Sequence, residues 1–316
     1  MHLVPDQVNK IDLSAPRIRD AFQPLRRYLR STRPDTLIAA MWPFTVLAIV
    51  ANEVAGRPTR VIVAEHCSLC AQYSASPWTY AALRVSIRAT YRRAYKVIGV
   101  STGVSEEVAE LAGMKCDRVA VIHNPVPPPL SSGDPPALPW PDLPGKRILA
   151  VGRLKAQKNH ALLIDAFARV ATKRDVVLAI VGTGELEVDL RFKVNQLGLS
   201  DRILIPGFCA TPADWYAGAD LFVLSSDYEG FGNVLVEAMH HGLPVVSTDC
   251  PHGPSEVLGD GVFGLLVEPG NAAMLESAIS RALELPRKPE LQRLRAADFS
   301  VARAVSEYAS LLERSA

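Results

Sequence analysis

LFVLSSDYEGFGNVLVEAM, residues 221–239, contains in one stretch the unit from which the rest of the chain is built. The apolar run Leu221–Leu224 is too short for a helix and is typical of a strand buried on both faces of a parallel sheet. A polar loop with two glycines follows, and a helical pattern begins near Asn233. The stretch therefore predicts a strand, a glycine-containing loop and a helix, which is the repeating unit of α/β folds.

The same unit recurs along the chain. Short runs of Val, Ile and Leu alternate with amphipathic stretches such as His160–Ala171. This alternation predicts an α/β protein with two doubly wound parallel sheets. The predicted strands are Thr36–Ala40, Val61–Ala64, Val97–Val100, Val119–Ile122, Ile148–Val151, Val176–Val181, Ile203–Pro206, Leu221–Leu224 and Val245–Ser247.

A proline-rich segment divides the chain. Residues 124–146 include nine prolines, and proline sustains neither a helix nor a central strand. We therefore predict an N-terminal domain over residues 1–123, an extended linker over 124–146, a second domain over 147–298 and a C-terminal helix over 299–316 that returns to the first domain. The first domain is expected to be incomplete, because no strand, glycine-rich turn and helix open it.

The charge balance, the cysteine count and the uncharged runs of the sequence argue against several classes of protein. The 316 residues include 34 Lys and Arg and 33 Asp and Glu, and this balance gives no reason to bind nucleic acid. Five cysteines without regular spacing argue against a disulfide scaffold and favour the cytoplasm. The longest uncharged run, Thr36–Asn52, has 17 residues and is interrupted by Pro43, so no transmembrane helix is predicted.

Two glycine-containing loops follow the linker. In VGRLKAQKNH, residues 151–160, Gly152 ends a strand, and Arg153 and Lys158 precede a helix. Basic side chains beside a helix N-terminus favour a diphosphate, although solvated surface charges are the alternative. Gly182 and Gly184 in VGTGEL form only a weak dinucleotide motif, because the third glycine is absent, and a tight turn is the alternative. Phe208 is interpreted as bordering a nucleobase or packing in the core.

Two carboxylates lie eight residues apart in the opening stretch. Glu229 is in the loop and Glu237 is on the helix, while Gly230 and Gly232 allow backbone N–H groups to approach a ligand closely. Carboxylates beside a phosphate site repel phosphate and should bind hydroxyl groups instead. A nucleotide sugar offers both kinds of group, so the loops together predict a nucleotide-sugar site.

These residues carry a family resemblance. The Glu229–Glu237 spacing inside EGFGNVLVEAM, followed by HGLPVV at 241–246, resembles the EX7E motif of retaining family 4 glycosyltransferases. VGRLKAQKN and VGTGEL match the same family in order, and the resemblance runs from Arg26 to the C-terminus. It implies a GT-B fold, in which two Rossmann-like domains are present and the second binds the nucleotide sugar.

The resemblance also implies roles for individual residues. Arg153 and Lys158 would bind the diphosphate, Glu237 the ribose and Glu229 the transferred sugar. His66, after the strand in Ala64-Glu65-His66, would contact the donor sugar as a further catalytic residue, although Cys67 stands where the family has asparagine. The remaining donor-binding positions are Gly152, Gly182, Gly184, Phe208, Gly230, Phe231, Gly232 and Asn233.

The implied reaction is the retaining transfer of a hexose or N-acetylhexosamine from a UDP sugar to a glycan or polyprenyl-diphosphate-linked acceptor. No metal or other cofactor is expected, because the chain has no Asp-x-Asp motif. The alternative is a non-catalytic or partner-dependent GT-B module, since the glycine-rich loop of the first domain has no match here. An NAD-dependent dehydrogenase is disfavoured, because it would leave the Glu229–Glu237 spacing unexplained.

The first half is more basic than the whole. Arg84, Arg88 and Arg92 repeat at helical spacing, and four arginines lie in residues 26–33. These helices predict contact with anionic lipid head groups at the inner membrane face or with a lipid-diphosphate acceptor, and a solvated helix face is the alternative. The CxxC of Cys67 and Cys70 has no second Cys or His pair at metal-site spacing and is interpreted as part of a loop.

Overall fold

The computed structural model of the chain describes residue 5 and residues 7–129, 139–210 and 212–313. The chain divides into two compact units. The first contains residues 1–99 and 105–120, and the second contains residues 100–104 and 121–316. The domain boundaries given above, including the return of residues 299–316 to the first domain, stay predictions.

The first unit is built on a four-stranded sheet with the order β1-β2-β3-β4. The pairs β1–β2 and β2–β3 are parallel, and Ile62 lies opposite Ile38 on one side and Lys96 on the other. The strands are Thr36–Ala40 (β1), Arg60–Glu65 (β2), Lys96–Gly99 (β3) and Val119–Val121 (β4). The helices are Phe22–Thr32 (α1), Phe44–Val54 (α2), Leu69–Tyr73 (α3), Pro77–Thr90 (α4) and Thr102–Ala112 (α5).

Helix α2 is central to this unit, because it packs on β1 and β2 and also against α1 and α4. Its mostly apolar sequence, FTVLAIVANEV, suits a helix with neighbours on several sides. Ile49 of α2, Leu29 of α1 and Leu83 of α4 are almost completely buried. The two arginine-bearing helices, α1 and α4, are therefore held by a common neighbour.

The second unit is built on six parallel strands with the order β10-β9-β8-β5-β6-β7. The strands are Lys146–Val151 (β5), Val176–Val181 (β6), Ile203–Gly207 (β7), Leu221–Leu224 (β8), Val245–Thr248 (β9) and Leu265–Val267 (β10). The helices are His160–Ala171 (α6), Glu187–Gln196 (α7), Ala213–Ala217 (α8), Asn233–His240 (α9), Pro254–Val257 (α10), Ala272–Glu284 (α11), Pro289–Ala297 (α12) and Val301–Leu312 (α13).

The strand order reverses beside β5. The chain first adds β6 and β7 on one side of β5 and then crosses to add β8, β9 and β10 on the other. In open parallel sheets, ligands bind at such a point, beyond the carboxyl ends of the strands. The loops that follow β5 and β8 meet there, and they are the two loops in which the sequence places Lys158 and Glu229.

The core of the second unit explains why α6 forms where its periodicity predicts. Leu163, Phe167 and Val170 form an apolar stripe that is fully buried against the sheet. At the start of the helix, the side chain of Asn159 accepts a hydrogen bond from the backbone N–H of Leu162 at 3.2 Å. Asn159 has a φ of 42°, a conformation that asparagine tolerates better than most residues.

The parallel α/β architecture is confirmed, and a strand forms at each of the nine predicted places. The sequence missed β10, whose three residues follow a glycine-rich turn and give too short an apolar run to distinguish from a loop. Residues 130–138 of the predicted linker lie outside the described residues. The described ends of the linker pack on the second unit, since Trp140 is buried against Trp215.

Candidate active site

An open pocket of about 490 Å³ lies at the carboxyl ends of β5, β6 and β7. It brings together five of the predicted site residues, Gly152, Arg153, Gly182, Gly184 and Phe208. Arg153 is exposed there, and the side chain of Phe208 is 77% exposed. Phe208 therefore does not pack in the core, which was one of the two interpretations of this residue.

Glycines 182 and 184 are required by the close approach of two loops. A Cβ on Gly182 would lie 1.9 Å from the carbonyl oxygen of Gly152, and one on Gly184 would lie 2.3 Å from that of Leu154. The backbone N–H of Leu154 also donates to the carbonyl of Thr183 at 2.9 Å. The GxG motif therefore serves a tight junction between loops, and this junction forms the floor of the pocket.

Lys158 and Glu229 form an ion pair, with 2.5 Å between Nζ and Oε1. Both side chains are largely buried, at 13% and 8% exposure. Lys158 also adjoins the pocket, because a Cβ on Gly152 would lie 3.2 Å from its Cε. The two residues that the sequence assigns to phosphate and to sugar are thus direct neighbours.

The pair is held by hydrogen bonds between the two loops. Ser226 Oγ donates to the same Glu229 oxygen at 2.7 Å, and Ser225 Oγ donates to the carbonyl of Lys158 at 2.9 Å. Ser226 is in turn held by Thr248 of β9, whose Oγ1 donates to its carbonyl at 2.6 Å. Both donors converge on Oε1, and no hydrogen bond from a described residue reaches the second oxygen, Oε2.

Glu237 is held by a residue that the sequence did not identify. The hydroxyl of Tyr216, in α8, donates to Glu237 Oε2 at 2.8 Å. Burial raises the pKa of Tyr216 well above its usual value, so the phenol keeps its proton and remains a donor. Its ring stacks on His241 with 5.2 Å between centroids. A short helix with no clear periodicity gave no sequence signal for this contact.

The glycine-containing loop between Glu229 and α9 is shaped by its backbone conformation and by the packing of Phe231. Gly232 adopts a φ of 91° directly before the first residue of the helix. The side chain of Phe231 is buried against His123 and Phe299, so only its backbone can reach a ligand. Asn233 is exposed, and its side-chain oxygen accepts from Asn124 at 3.0 Å. The predicted N–H contacts of this loop with a donor stay predictions.

His66 belongs to the first unit, where it directly follows β2 and is half-buried. Its neighbour Glu65 is fully buried and accepts hydrogen bonds from the hydroxyls of Tyr91 and Thr45 and from the backbone N–H of Trp42. Burial raises the pKa of Glu65 to about 7. The cluster fixes the end of β2, and the role of His66 toward a donor stays a prediction.

The predicted basic stripe is only partly available to ligands, because α4 ends at Thr90 and Arg92 lies in the turn that follows. Arg92 donates from Nε to the carbonyl of Ala112 at 3.2 Å and also donates to the carbonyl of Gly113. It therefore caps the C-terminus of α5, where a cation is favoured by the helix dipole. Arg84 and Arg88 remain exposed and line an open groove.

Within the described ranges, no helix combines the length and the apolar character that crossing a bilayer requires. The same residues contain no group of three or more His, Cys, Asp or Glu side chains placed to hold a metal ion. Neither Cys67 nor Cys70 forms a disulfide bond with a described residue. The expectation of metal independence stays a prediction.

Two family models match the chain. The model described as "Glycosyl transferase 4-like domain" matches residues 6–125, and the one described as "Glycosyl transferases group 1" matches residues 145–285. Together they match most of both units, and they leave out residues 126–144 of the proline-rich segment and residues 286–316.

Curated relatives carry related descriptions. The chain is 32% identical over 229 residues to N-acetylgalactosamine-N,N'-diacetylbacillosaminyl-diphospho-undecaprenol 4-alpha-N-acetylgalactosaminyltransferase of Campylobacter jejuni. The aligned region covers 72% of this chain and 62% of the relative. It is 29% identical over 259 residues to lipopolysaccharide 1,6-galactosyltransferase of Salmonella typhimurium, covering 77% and 64%. The chain thus spans less than two thirds of the length of either relative.

Solved structures share the fold. HepE of Anabaena in complex with UDP-glucose has a TM-score of 0.78 and 24% identity, over 93% of this chain and 82% of that one. The apo form of the lipopolysaccharide outer core galactosyltransferase WaaB has a TM-score of 0.72 and 23% identity, over 93% and 79%. Both likenesses extend across the two sheets.

Proposed function

The chain belongs to the GT-B glycosyltransferases of the family 4 type, and we propose that it transfers a hexose or N-acetylhexosamine from a nucleotide sugar to a glycan or lipid-linked acceptor. The observation that carries this proposal is the buried Lys158–Glu229 pair beside a pocket at the point where the strand order reverses. A cation and a carboxylate at that place suit a ligand with both phosphate and hydroxyl groups.

The donor's diphosphate is proposed to bind Arg153 and Lys158. Arg153 is exposed at the pocket, and Lys158 lies two residues before the start of α6, whose N-terminus adds a favourable field. When a phosphate binds Lys158, the Glu229 oxygen that shares this cation is still held by Ser226. Glu229 therefore keeps its orientation and presents Oε2 to the hydroxyl groups of the transferred sugar.

The nucleoside half of the donor is proposed to bind Glu237 and Phe208. Because Tyr216 holds one oxygen of Glu237, the other can accept from the ribose hydroxyls. The exposed ring of Phe208 borders the pocket and can stack on a base, for which we propose uracil. The HepE complex with UDP-glucose supports a UDP sugar as the donor.

The transfer is proposed to retain the anomeric configuration and to need no metal ion. Arg153 and Lys158 would offset the charge that grows on the departing diphosphate, as a divalent ion does in other enzymes. The enzyme's share is positioning and electrostatic stabilisation, with His66 of the first unit proposed to contact the donor sugar. The diphospho-undecaprenol in the name of the Campylobacter relative supports a lipid-linked acceptor. We further propose that the transfer takes place at the cytoplasmic face of a membrane.

Donor binding can be tested with two variants at one contact. Glu237→Ala should weaken UDP affinity by about tenfold or more, because a hydrogen bond to a charged group contributes about 1.5–3 kcal/mol. Tyr216→Phe removes only the hydroxyl that orients Glu237 and should weaken affinity by a smaller factor. Isothermal titration with UDP measures both, and Tyr308→Phe on α13 is the matched control.

Turnover is measured separately as UDP release from a panel of UDP sugars with a polyprenyl-diphosphate glycan as the acceptor. Release that depends on Glu229 and Lys158 supports the proposed transfer. Binding of UDP without release from any sugar would instead favour a partner-dependent module. Unchanged UDP affinity in Glu237→Ala would refute the assignment of the site.

A further inference from the structure

Helix α4 has apolar residues on two opposite faces. Leu83 and Ile87 are fully buried and attach the helix to the first unit. On the other side, Trp78 is 88% exposed and Val85 is 70% exposed. The exposed residues Ala82 and Ala89 share this side at helical spacing. We call Trp78, Ala82, Val85 and Ala89 the outer strip of α4.

The outer strip has no role in the core of the first unit. Trp78 is the most exposed large hydrophobic side chain in the described part of the chain. By contrast, Trp140 and Trp215 are buried, and the indole N–H of Trp42 donates to Ser86 at 3.0 Å. Tryptophan concentrates where an apolar region meets a wet one, as at the interface of a membrane. The strip is therefore suited to a surface of that kind.

The exposed charges that α4 itself places beside the strip are positive. The first unit has 16 Arg and Lys against 10 Asp and Glu, and two of these acids, Glu107 and Glu110, lie on the groove beside α4. Neither α1 nor α4 contains an acidic residue. Arg84 and Arg88 are exposed beside the strip, and Arg26, Arg27 and Arg30 line a basic pocket on α1. The partner that fits this surface is anionic.

We propose that the outer strip of α4 docks on the surface of an anionic phospholipid bilayer. Trp78 and Val85 enter the boundary between headgroups and acyl chains, while Arg84 and Arg88 bind lipid phosphates. A bilayer accepts a narrow strip with two large side chains, because it closes around them, and the arginines add the second signal that stable anchoring needs. Docking requires no sugar donor, so this inference goes beyond the proposed transfer.

The groove beside α4 limits where the phosphates can lie. Arg84, Val85 and Arg88 form one wall, and Glu107 and Glu110 of α5 are on the groove as well. Glu107 already accepts hydrogen bonds from Ser68 and from the backbone N–H groups of Leu69 and Cys70. Carboxylates repel phosphate, so the lipid phosphates are placed at the outer rim of the groove beside α4.

The test uses the full chain and vesicles made of equal parts of phosphatidylglycerol and phosphatidylcholine. We expect cosedimentation with these vesicles, little with pure phosphatidylcholine, and a blue shift of tryptophan emission that brominated lipids quench. Trp78→Ser should lower the partition coefficient by about tenfold or more, since burying a large apolar side chain contributes about 1.5–3 kcal/mol. Arg84→Gln and Arg88→Gln should each lower it by about fivefold.

The matched control is Phe192→Ser, which removes an exposed aromatic side chain (61%) from α7 of the second unit and should bind vesicles like the unsubstituted chain. Because Trp78 is solvent-exposed, its loss should leave the circular dichroism spectrum unchanged. Wild-type binding by Trp78→Ser, equal binding to neutral vesicles, or an equal loss in Phe192→Ser would overturn the proposal. UDP titration without vesicles tests the donor site separately, so either proposal can fail alone.

Discussion

At the scale of single residues, the site depends on which oxygen of Glu229 is occupied. Lys158 and Ser226 both donate to Oε1, and Thr248 fixes the backbone of Ser226. Ser226 is fully buried and does not reach the pocket wall formed by Gly152 and Arg153. We therefore propose that Ser226 is a positioning residue, which would act on a ligand only through Glu229.

Ser226→Ala should lower kcat of UDP-sugar turnover by about tenfold to a hundredfold, because a hydrogen bond to a charged group contributes about 1.5–3 kcal/mol. The KM for the donor should change less, since Arg153 and Lys158 are untouched. Ser247→Ala is the control, because Ser247 is equally buried but bonds only to a backbone carbonyl. Equal effects of the two substitutions on kcat would contradict the positioning role.

The sequence predicts Lys158, Glu229 and Glu237 as site residues, because each follows a strand or begins a helix in a recognisable pattern, and these roles stay predictions. It did not identify Tyr216 or Ser226. Tyr216 lies 21 residues before Glu237 and in a different helix, and its contact exists only because α8 packs beside α9. Such contacts depend on tertiary packing, which no local spacing encodes.

At the scale of elements, Glu65 joins the end of β2 to the start of α2 and to the segment after α4. Its partners are the backbone N–H of Trp42 and the hydroxyls of Thr45 and Tyr91. Burial raises its pKa from 4.5 to about 7. Between these two pH values the folded unit retains a proton that the unfolded chain has already released. The stability of the folded unit therefore falls as the pH rises through this window.

The first unit should lose about 3 kcal/mol of stability between pH 4.5 and 7 through this carboxyl group, because each unit of pKa shift corresponds to 1.36 kcal/mol. Hydrogen exchange of the β2 amides, followed by mass spectrometry at several pH values, measures the change. In Glu65→Gln the group does not titrate, so the decrease should be much smaller. Parallel pH profiles for the two proteins would show that Glu65 is not the group responsible.

The elements themselves were largely predictable. Strands such as β6, buried at all six positions, are continuous apolar runs that only a parallel sheet explains. The strand β10 was missed because it has only three residues, too few to show a periodicity. The described ends of the proline-rich segment pack through Trp140 and Val126, and the proline content does not predict these contacts. Equal spacing did not imply equal roles among the three arginines, because α4 ends at Thr90 and Arg92, in the turn that follows, caps α5, while Arg84 and Arg88 stay exposed on α4.

At the scale of the whole molecule, the near-neutral total charge conceals two opposite contributions. The first unit has 16 Arg and Lys and 10 Asp and Glu, whereas the second has 18 and 23. The second unit nevertheless contains the predicted site for an anionic donor. Affinity there must come from the largely buried Lys158 and the local loop geometry, since the overall field of that unit opposes an anion.

The two proposed binding events should therefore respond differently to salt. Vesicle binding depends on exposed arginines and should fall by more than about tenfold as the Debye length shrinks from about 10 Å at 0.1 M to about 3 Å at 1 M salt. UDP affinity should change by less than about threefold over the same range, because Lys158 is only 13% exposed. Titration calorimetry and cosedimentation across a potassium chloride series measure both, with pure phosphatidylcholine vesicles as the uncharged control. A steep fall in UDP affinity, or vesicle binding that persists at 1 M salt, would contradict this division between a local donor site and a long-range membrane surface.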